Sequence, residues 1–504
     1  MHPALQILEV IDNISLHLGQ KSLPALASTC RAFESPALNI LWRNLESVGP
    51  IVKCLPSELF GTNGKYPVLQ KPLDQKMWDT LSRYTSRVHS IAQSDMSTLR
   101  PLILILLSCP SAPASFFPNL RRLTWHAHAT RDAAEFLRMA LVPSLLSLTV
   151  QISKPSPEFL LVFSSLGAVC PRLQCMTLNY GYLIDEPFSN SPFIMQPITQ
   201  LRHLRDLHIW GIGIQEIQQI MLLGALQRLS LDLGITPSST WDRPSPLQLP
   251  GFQNLHVLTI KVNTFKRLVN FLSSLTIVRT QRVVVCLAHS FPARASVSTK
   301  LSRFLTILQE RCDNNKLEFF VFMAVTTIPE ITKLGVFAPL RAFSNLTHLL
   351  IGESCNLSIS DEELCYLTGA WPKLQVLQLS CCVANDSDTI TVPTFHGLIC
   401  LLQLCPALTS LTLVIDATKL DGIDLKCPGG KHFTHHLKDL TLGNSVIHSP
   451  LNVALILSGL VPYLERLDLK SSYMKESEME KWALVNSFLH AFSVVRERSR
   501  HIVP

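Results

Sequence analysis

A short apolar spacing, L-x-x-L-x-L with other apolar residues allowed, recurs along most of this 504-residue chain. Its clearest copies are Leu374/Leu377/Leu379, Leu408/Leu411/Leu413, Leu437/Leu440/Leu442 and Leu464/Leu467/Leu469. Earlier ones are Leu120/Leu123/Trp125, Leu145/Leu148/Val150, Leu173/Met176/Leu178, Leu204/Leu207/Ile209, Leu226/Leu229/Leu231, Leu255/Leu258/Ile260 and Leu346/Leu349/Ile351. Val283/Val285 and Leu317/Phe320/Phe322 are degenerate copies, and Val88 with Ile91 forms an atypical first one. From Leu120 to Leu464 the step averages about 29 residues. The last two apolar positions are two apart, so they share one face of a strand. The first lies three residues earlier, where the chain turns into that strand.

One such unit buries three apolar side chains, far too little to offset the ordering of a whole repeat. Neighbours must therefore cover one another. The expected fold is α/β: a leucine-rich-repeat solenoid with parallel strands on the concave face and helices on the convex face. About 13 units span residues 116–475. The connectors read as helices. Ser360 caps Asp361, Glu362 and Glu363, with Leu364 and Leu367 as the apolar stripe, and 453–460 forms another helix. Proline stops the helix before the strand at Cys170-Pro171, Trp371-Pro372, Cys405-Pro406 and Val461-Pro462.

Composition agrees with extensive burial: 47% of residues are hydrophobic and only 16% charged. The net charge of +7 is scattered and not interleaved with stacking aromatics, so no nucleic-acid partner is expected. Arg496, Arg498 and Arg500 read as a solvated helix end. The N-terminus has no basic n-region, and the apolar run Leu102–Leu107 is too short to span a bilayer. A cytoplasmic or nuclear, non-secreted protein without a membrane partner is expected. Its fourteen cysteines then read as reduced and mostly buried, and the sequons at Asn13, Asn345, Asn356 and Asn385 as chance matches.

Residues 1–47 lack the repeat and read as three short helices. Ile7, Ile11, Ile14 and Leu18 form one stripe; Leu23, Leu26, Ala27 and Cys30 form a second after the cap Ser22. Ser35-Pro36 starts a third, with Leu38, Leu41, Trp42 and Leu45. Residues 48–115 read as linker and N-terminal cap, with a loop around Gly61, Gly64, Pro67 and Pro72. A helix at 77–88 carries Trp78, Leu81 and Tyr84, and a break follows at 110–118. Residues 476–504 form a closing helix and tail, with Trp482, Val485, Phe488, Leu489 and Phe492 inward.

The N-terminal segment resembles an F-box. The matching residues are Ile7-Leu8-Glu9-Val10-Ile11-Asp12-Asn13-Ile14, Leu18, Leu23-Pro24-Ala25-Leu26-Ala27, Thr29-Cys30-Arg31-Ala32-Phe33 and Ile40-Leu41-Trp42-Arg43. The whole chain is similar to fungal F-box proteins with divergent leucine-rich repeats. Leu8 stands where that family has proline, which alters how the first helix begins. Ser15 stands where phenylalanine is common, which removes an apolar contact. The resemblance implies docking to the Skp adaptor, and through it cullin, in an SCF-type ubiquitin ligase. The docking set it implies is Leu8, Val10, Ile11, Leu23, Leu26, Cys30, Leu41 and Trp42, with Trp42 as an anchor. The same residues equally suit the internal core of a three-helix unit.

No phosphate loop, dinucleotide fingerprint, zinc-protease helix or nucleophile elbow is present, so no catalytic residue, cofactor or enzymatic activity is expected. Cys427, His432, His435 and His436 lack regular zinc spacing and read as a polar loop. His126 and His128 read as surface residues, and Cys381-Cys382 as packed thiols. The expected role is binding: the repeat array holds an unidentified protein substrate for ubiquitin transfer by other subunits. The alternative is a repeat scaffold or inhibitor without a ligase role. Strand alternation points Thr177, His208, Thr259, Gln378, Thr412 and Asp468 outward as substrate-facing candidates.

Overall fold

The computed structural model describes residues 7–63, 66–93, 99–108, 115–127, 131–152, 156–180, 192–234, 241–244, 247–288, 297–325, 328–352, 354–379, 390–430, 435–442, 445–464, 466–469 and 476–502. They fall into two compact units, Met1–Leu226 and Gln227–Pro504.

The first unit opens with helices α1 (Leu8–His17), α2 (Leu23–Thr29) and α3 (Arg31–Arg43). Glu9 in the first turn of α1 and His17 in the last suit the helix dipole. Only Ile11 of the expected α1 stripe is fully buried; Leu18 is half-buried and Ile7 and Ile14 are exposed. Ser15 is buried beside Ile11 and donates its hydroxyl to the Ile11 carbonyl at 2.8 Å. Ser22 does not cap α2 with its side chain, and Pro24 in the first turn starts that helix instead. The third helix begins five residues earlier than Ser35-Pro36 suggests, because Cys30 is extended (φ −161°) and breaks the chain there. Pro36 stands inside α3, where its missing N–H leaves the Ala32 carbonyl without a helical donor.

Leu45 belongs to a strand, not to the helical stripe. Asn44–Leu45 follows α3 directly and pairs in parallel with Ser90–Gln93, Leu45 opposite Ile91. The expected loop contains an antiparallel hairpin of Phe60–Asn63 and Tyr66–Leu69. Before the hairpin comes α4 (Gly49–Lys53) and after it α5 (Gln75–Thr85), the latter capped by Asp74, whose carboxylate accepts from the Met77 N–H at 2.8 Å.

The parallel ladder continues in register through Arg122–Ala127, Ser147–Ile152, Cys175–Tyr180 and Asp206–Trp210. The second unit repeats the plan with Arg228–Asp232, Val257–Val262, Arg282–Leu287, Phe319–Ala324, His348–Ile351, Val376–Leu379, Ser410–Leu413 and Asp439–Thr441. The two runs hold fourteen parallel strands. Each unit is thus a leucine-rich-repeat array of strand and helix. Within each unit the apolar pairs of neighbouring copies stack; in the second, Leu349, Leu377, Leu411 and Leu440 are each at most 2% exposed. Neighbouring copies are also tied by polar groups. Thr347 Oγ1 donates to the Glu318 carbonyl at 2.9 Å, and Trp371 Nε1 to the Leu340 carbonyl at 3.1 Å.

The connectors follow the expected chemistry. Ser360 and Glu363 form a reciprocal capping box at Asp361–Thr368, both bonds 3.1 Å. The helices Phe395–Leu404 and Pro450–Leu460 end just before Cys405-Pro406 and Val461-Pro462. Two features of the second unit are additional. A second parallel ladder pairs Ile328–Lys333 with Cys355–Ser358, and a further one pairs Asp416–Ala417 with Val446–Ile447. Cys365 and Cys400, on neighbouring helices 6.0 Å apart at Cα, form a disulfide, against the expectation of reduced thiols throughout.

The last copy, Leu464/Leu467/Leu469, is not a strand. The Asn486 side chain stands in for the missing neighbour, accepting from the Leu467 N–H at 2.7 Å and donating to its carbonyl at 3.2 Å. Asn486 lies on the closing helix Glu476–Ile502, which buries Trp482, Val485 and Leu489; Phe488 and Phe492 are only half-buried. Arg496 is not simply solvated: it donates to the Pro462 carbonyl. Asn486→Leu should therefore cost about 1–3 kcal/mol, the penalty of orphaning backbone groups. Urea unfolding measures this, with Ser487→Leu on the exposed side of the same helix expected to stay within about 0.5 kcal/mol.

Candidate functional site

Two surfaces carry the candidate residues. In the N-terminal helices, Ile11 and Leu23 are core residues, 2% and 1% exposed. They support the surface and do not form it. Val10, Leu26, Cys30, Leu41 and Trp42 are half-buried, and Leu8 is 59% exposed. Trp42 stacks on Tyr84 of α5, ring centroids 4.6 Å apart, so one face of the expected anchor is spent within the unit. Sequence spacing could not pair two rings so far apart along the chain, although Tyr84 lay on a recognised helical stripe. Ile7 and Leu16 are exposed apolar residues absent from the docking set.

The second surface is the outward face of the strands. The position after the first buried residue of each strand runs Ala92, Thr124, Thr149, Thr177, His208 in the first unit. In the second it runs Ser230, Thr259, Val284, Val321, Leu350, Gln378, Thr412, Thr441. Of the substrate-facing candidates, Thr177, His208, Thr259, Gln378 and Thr412 are half-buried, and Asp468 is exposed. Thr177 and His208 are register neighbours, as are Gln378 and Thr412. Trp210 Nε1 donates to His208 Nε2 at 2.5 Å. Thr259 stands next to Ser230, and Asp468 lies beyond the last strand, its N–H on the Leu440 carbonyl at 3.1 Å.

The middle of the second row is apolar, with Val284 and Leu350 half-buried and Val321 buried, and aromatic and cationic groups flank it. The Arg282 guanidinium lies 3.7 Å over the Phe319 ring, which stacks on His348 at 4.7 Å. Burial, and then the charge of Arg282, hold His348 below the usual imidazole range. On the other flank Met323 is exposed beside Cys286. Further along that flank Lys261 pairs at 3.1 Å with the buried Asp232, which also accepts from the Gly234 N–H at 2.8 Å. The Arg282–Phe319–His348 column escaped sequence reasoning because only the position between the two apolar residues was read as outward. The residue before each pair also points outward.

The His-rich loop does not assemble. Cys427 is exposed, His436 stacks on Tyr463 at 5.4 Å, and His432 lies outside the described residues. His435 is buried, its Nε2 3.0 Å from the Cys405 carbonyl. Among the described residues no group of three or more His, Cys, Asp or Glu is placed to hold a metal ion. His126 is exposed; His128 and Cys381-Cys382 lie outside the described residues. No helix among them is long and apolar enough to cross a membrane.

No family model and no curated protein matches this chain. Among solved structures, a chain of the yeast Rad7 and Elc1 complex is similar at 15% identity with a TM-score of 0.34. That match covers 68% of this chain and 81% of the other.

Burial holds the His435 imidazole below its ordinary value, the Cys405 bond only partly opposing this. A group whose folded pKa is depressed gives stability that is complete above the unfolded pKa, about 6.5, and is lost as pH falls toward the folded value. Thermal midpoints should therefore drop between pH 7.5 and 5.5. His435→Gln, which keeps a donor but does not titrate, should make that drop shallower; an unchanged slope would exclude His435 as a contributor.

Proposed function

We propose that this chain is the substrate receptor of an SCF-type ubiquitin ligase. The N-terminal helices dock the Skp adaptor, and through it cullin, while the outward strand face holds a protein client. In this reading residues 1–47 form the adaptor module, 48–115 the leading cap, 116–475 the array and 476–504 the closing helix and tail. The chain itself performs no covalent chemistry, and it works in the cytoplasm or nucleus.

The observation that carries the proposal is the apolar exposure of α1. Ile7, Leu8 and Leu16 are 49%, 59% and 54% exposed, in the segment whose residues resemble an F-box. Large apolar side chains grouped on one short helix mark a surface that a partner covers. Leu8, Val10, Leu26, Cys30 and Leu41 supply contacts; Ile11 and Leu23 brace them from beneath, and Trp42 fixes α3 through Tyr84. For the client, the half-buried Val284 and Leu350 offer apolar contacts on either side of the buried Val321, with aromatic and cationic groups at Phe319 and Arg282. The polar positions Thr177, His208, Thr259, Gln378, Thr412 and Asp468 add hydrogen-bonding specificity.

A second reading is favoured by one feature: α3 runs straight into the Asn44–Leu45 strand, as the cap of a repeat scaffold would. The two separate experimentally. The full chain should capture recombinant Skp adaptor, and Leu8→Asp should lower that capture at least about tenfold with an unchanged thermal midpoint, since an apolar hot spot carries about 2 kcal/mol or more. Failure of the unaltered chain to capture the adaptor would overturn the receptor reading and leave the scaffold.

A further inference from the structure

A cleft of about 710 Å³ in the first unit is lined by residues of α1, α3 and α5 and by the chain entering the Ser90–Gln93 strand. Three guanidiniums, Arg43, Arg83 and Arg87, line it against one carboxylate, Asp12. They are not equivalent. Arg83 is matched by Glu34 at 2.6 Å. Among the described residues Arg87 Nη1 donates only to neutral acceptors, the Ser35 carbonyl at 3.2 Å, the Ser35 hydroxyl at 3.4 Å and Asn39 Oδ1. Arg87 Nε is buried with no hydrogen-bond partner among the described residues, and so is His89 Nδ1. Arg43 is exposed at the mouth and makes no ion pair or side-chain hydrogen bond among the described residues.

The electrostatics run the same way. Burial and the neighbouring Arg83 push the Arg87 pKa down, and the charges of Tyr84 and Glu34 only partly oppose this. Burial, then Arg121 and Arg43, do the same to His89. Arg43 and Arg83 are exposed and Arg87 is half-buried, so the cost lies in the orphaned Arg87 Nε and His89 Nδ1 and in the repulsion between like charges, both of which an acceptor of opposite charge relieves. A guanidinium fork matches the oxygens of a tetrahedral oxyanion. An extended nucleic-acid backbone fits poorly, because no Phe, Tyr or Trp lines the cleft for stacking and Asp12 opposes a run of charges. Leu16 and Ile40 instead offer an apolar wall beside the guanidiniums, suited to the stem of a small phosphorylated group.

We infer that this cleft binds a phosphate-monoester group, met by Arg43 and Arg87 with His89 at its base. The inference does not depend on the receptor reading, and adaptor capture is scored separately. The test is calorimetric titration of the full chain with inorganic phosphate, with a short phosphoserine peptide and with its unphosphorylated twin. Arg43→Gln is the variant, and Arg138→Gln, an exposed arginine on the Arg131–Ala140 helix, is the control. Phosphate and the phosphopeptide should bind saturably and the twin should not. Arg43→Gln should weaken both about tenfold, the effect of one charge-assisted contact, while Arg138→Gln leaves them unchanged. A tighter phosphopeptide identifies a polypeptide as the source, and equal affinities identify free phosphate; both uphold the site. No saturable binding by the folded chain, or equal effects of the two substitutions, overturns it.

Discussion

A parallel ladder leaves a row of unpaired backbone N–H and C=O groups on its outermost strand, and such an edge invites pairing with other chains. In the first unit the leading strand is cut to Asn44–Leu45 and follows three helices at once. In the second, the last copy never becomes a strand, and a carboxamide from the closing helix occupies both backbone groups of Leu467. Within each unit a copy buries its apolar pair on the next, so alternation of side chains follows from the ladder. The outward rows follow from the same alternation.

The regular part of this design was legible because L-x-x-L-x-L is a spacing, and spacing is what a sequence displays directly. Even the degenerate copies at Val283/Val285 and Leu317/Phe320/Phe322 fall in register with their neighbours. What escaped depends on contacts between distant residues. Leu45 continues a helical stripe on paper, but pairing with Ile91 makes it a strand residue. Ser35-Pro36 has the form of a helix start, yet the extended Cys30 already supplies one. The Cys365–Cys400 bridge and the second ladder at Ile328–Lys333 require two copies to be stacked before either is visible.

The candidate surfaces were legible to a lesser degree, for a related reason. Periodicity separates inward from outward, and on that basis it picks out Thr177, His208 and Gln378, which lie between buried neighbours. It does not say which outward residues form a common surface. Register does: it aligns Val284 and Leu350 on either side of the buried Val321 and stacks Arg282, Phe319 and His348 beside them. Within the N-terminal helices the resemblance supplied residue types, while burial divided them into braces such as Ile11 and exposed groups such as Leu8.

The direct passage from α3 to the first strand has a mechanical consequence. Arg43 ends the helix and Asn44 begins the strand, so no residue is left over to act as a hinge. The Arg43 carbonyl already accepts from the His89 N–H at 2.9 Å, and Trp42 is clamped on Tyr84. Swinging α3 away would break the first rung of the ladder and unstack those rings. Whatever grips α3 therefore grips the neighbouring strands as one lever, and its orientation to them is set by the fold and not by a tether.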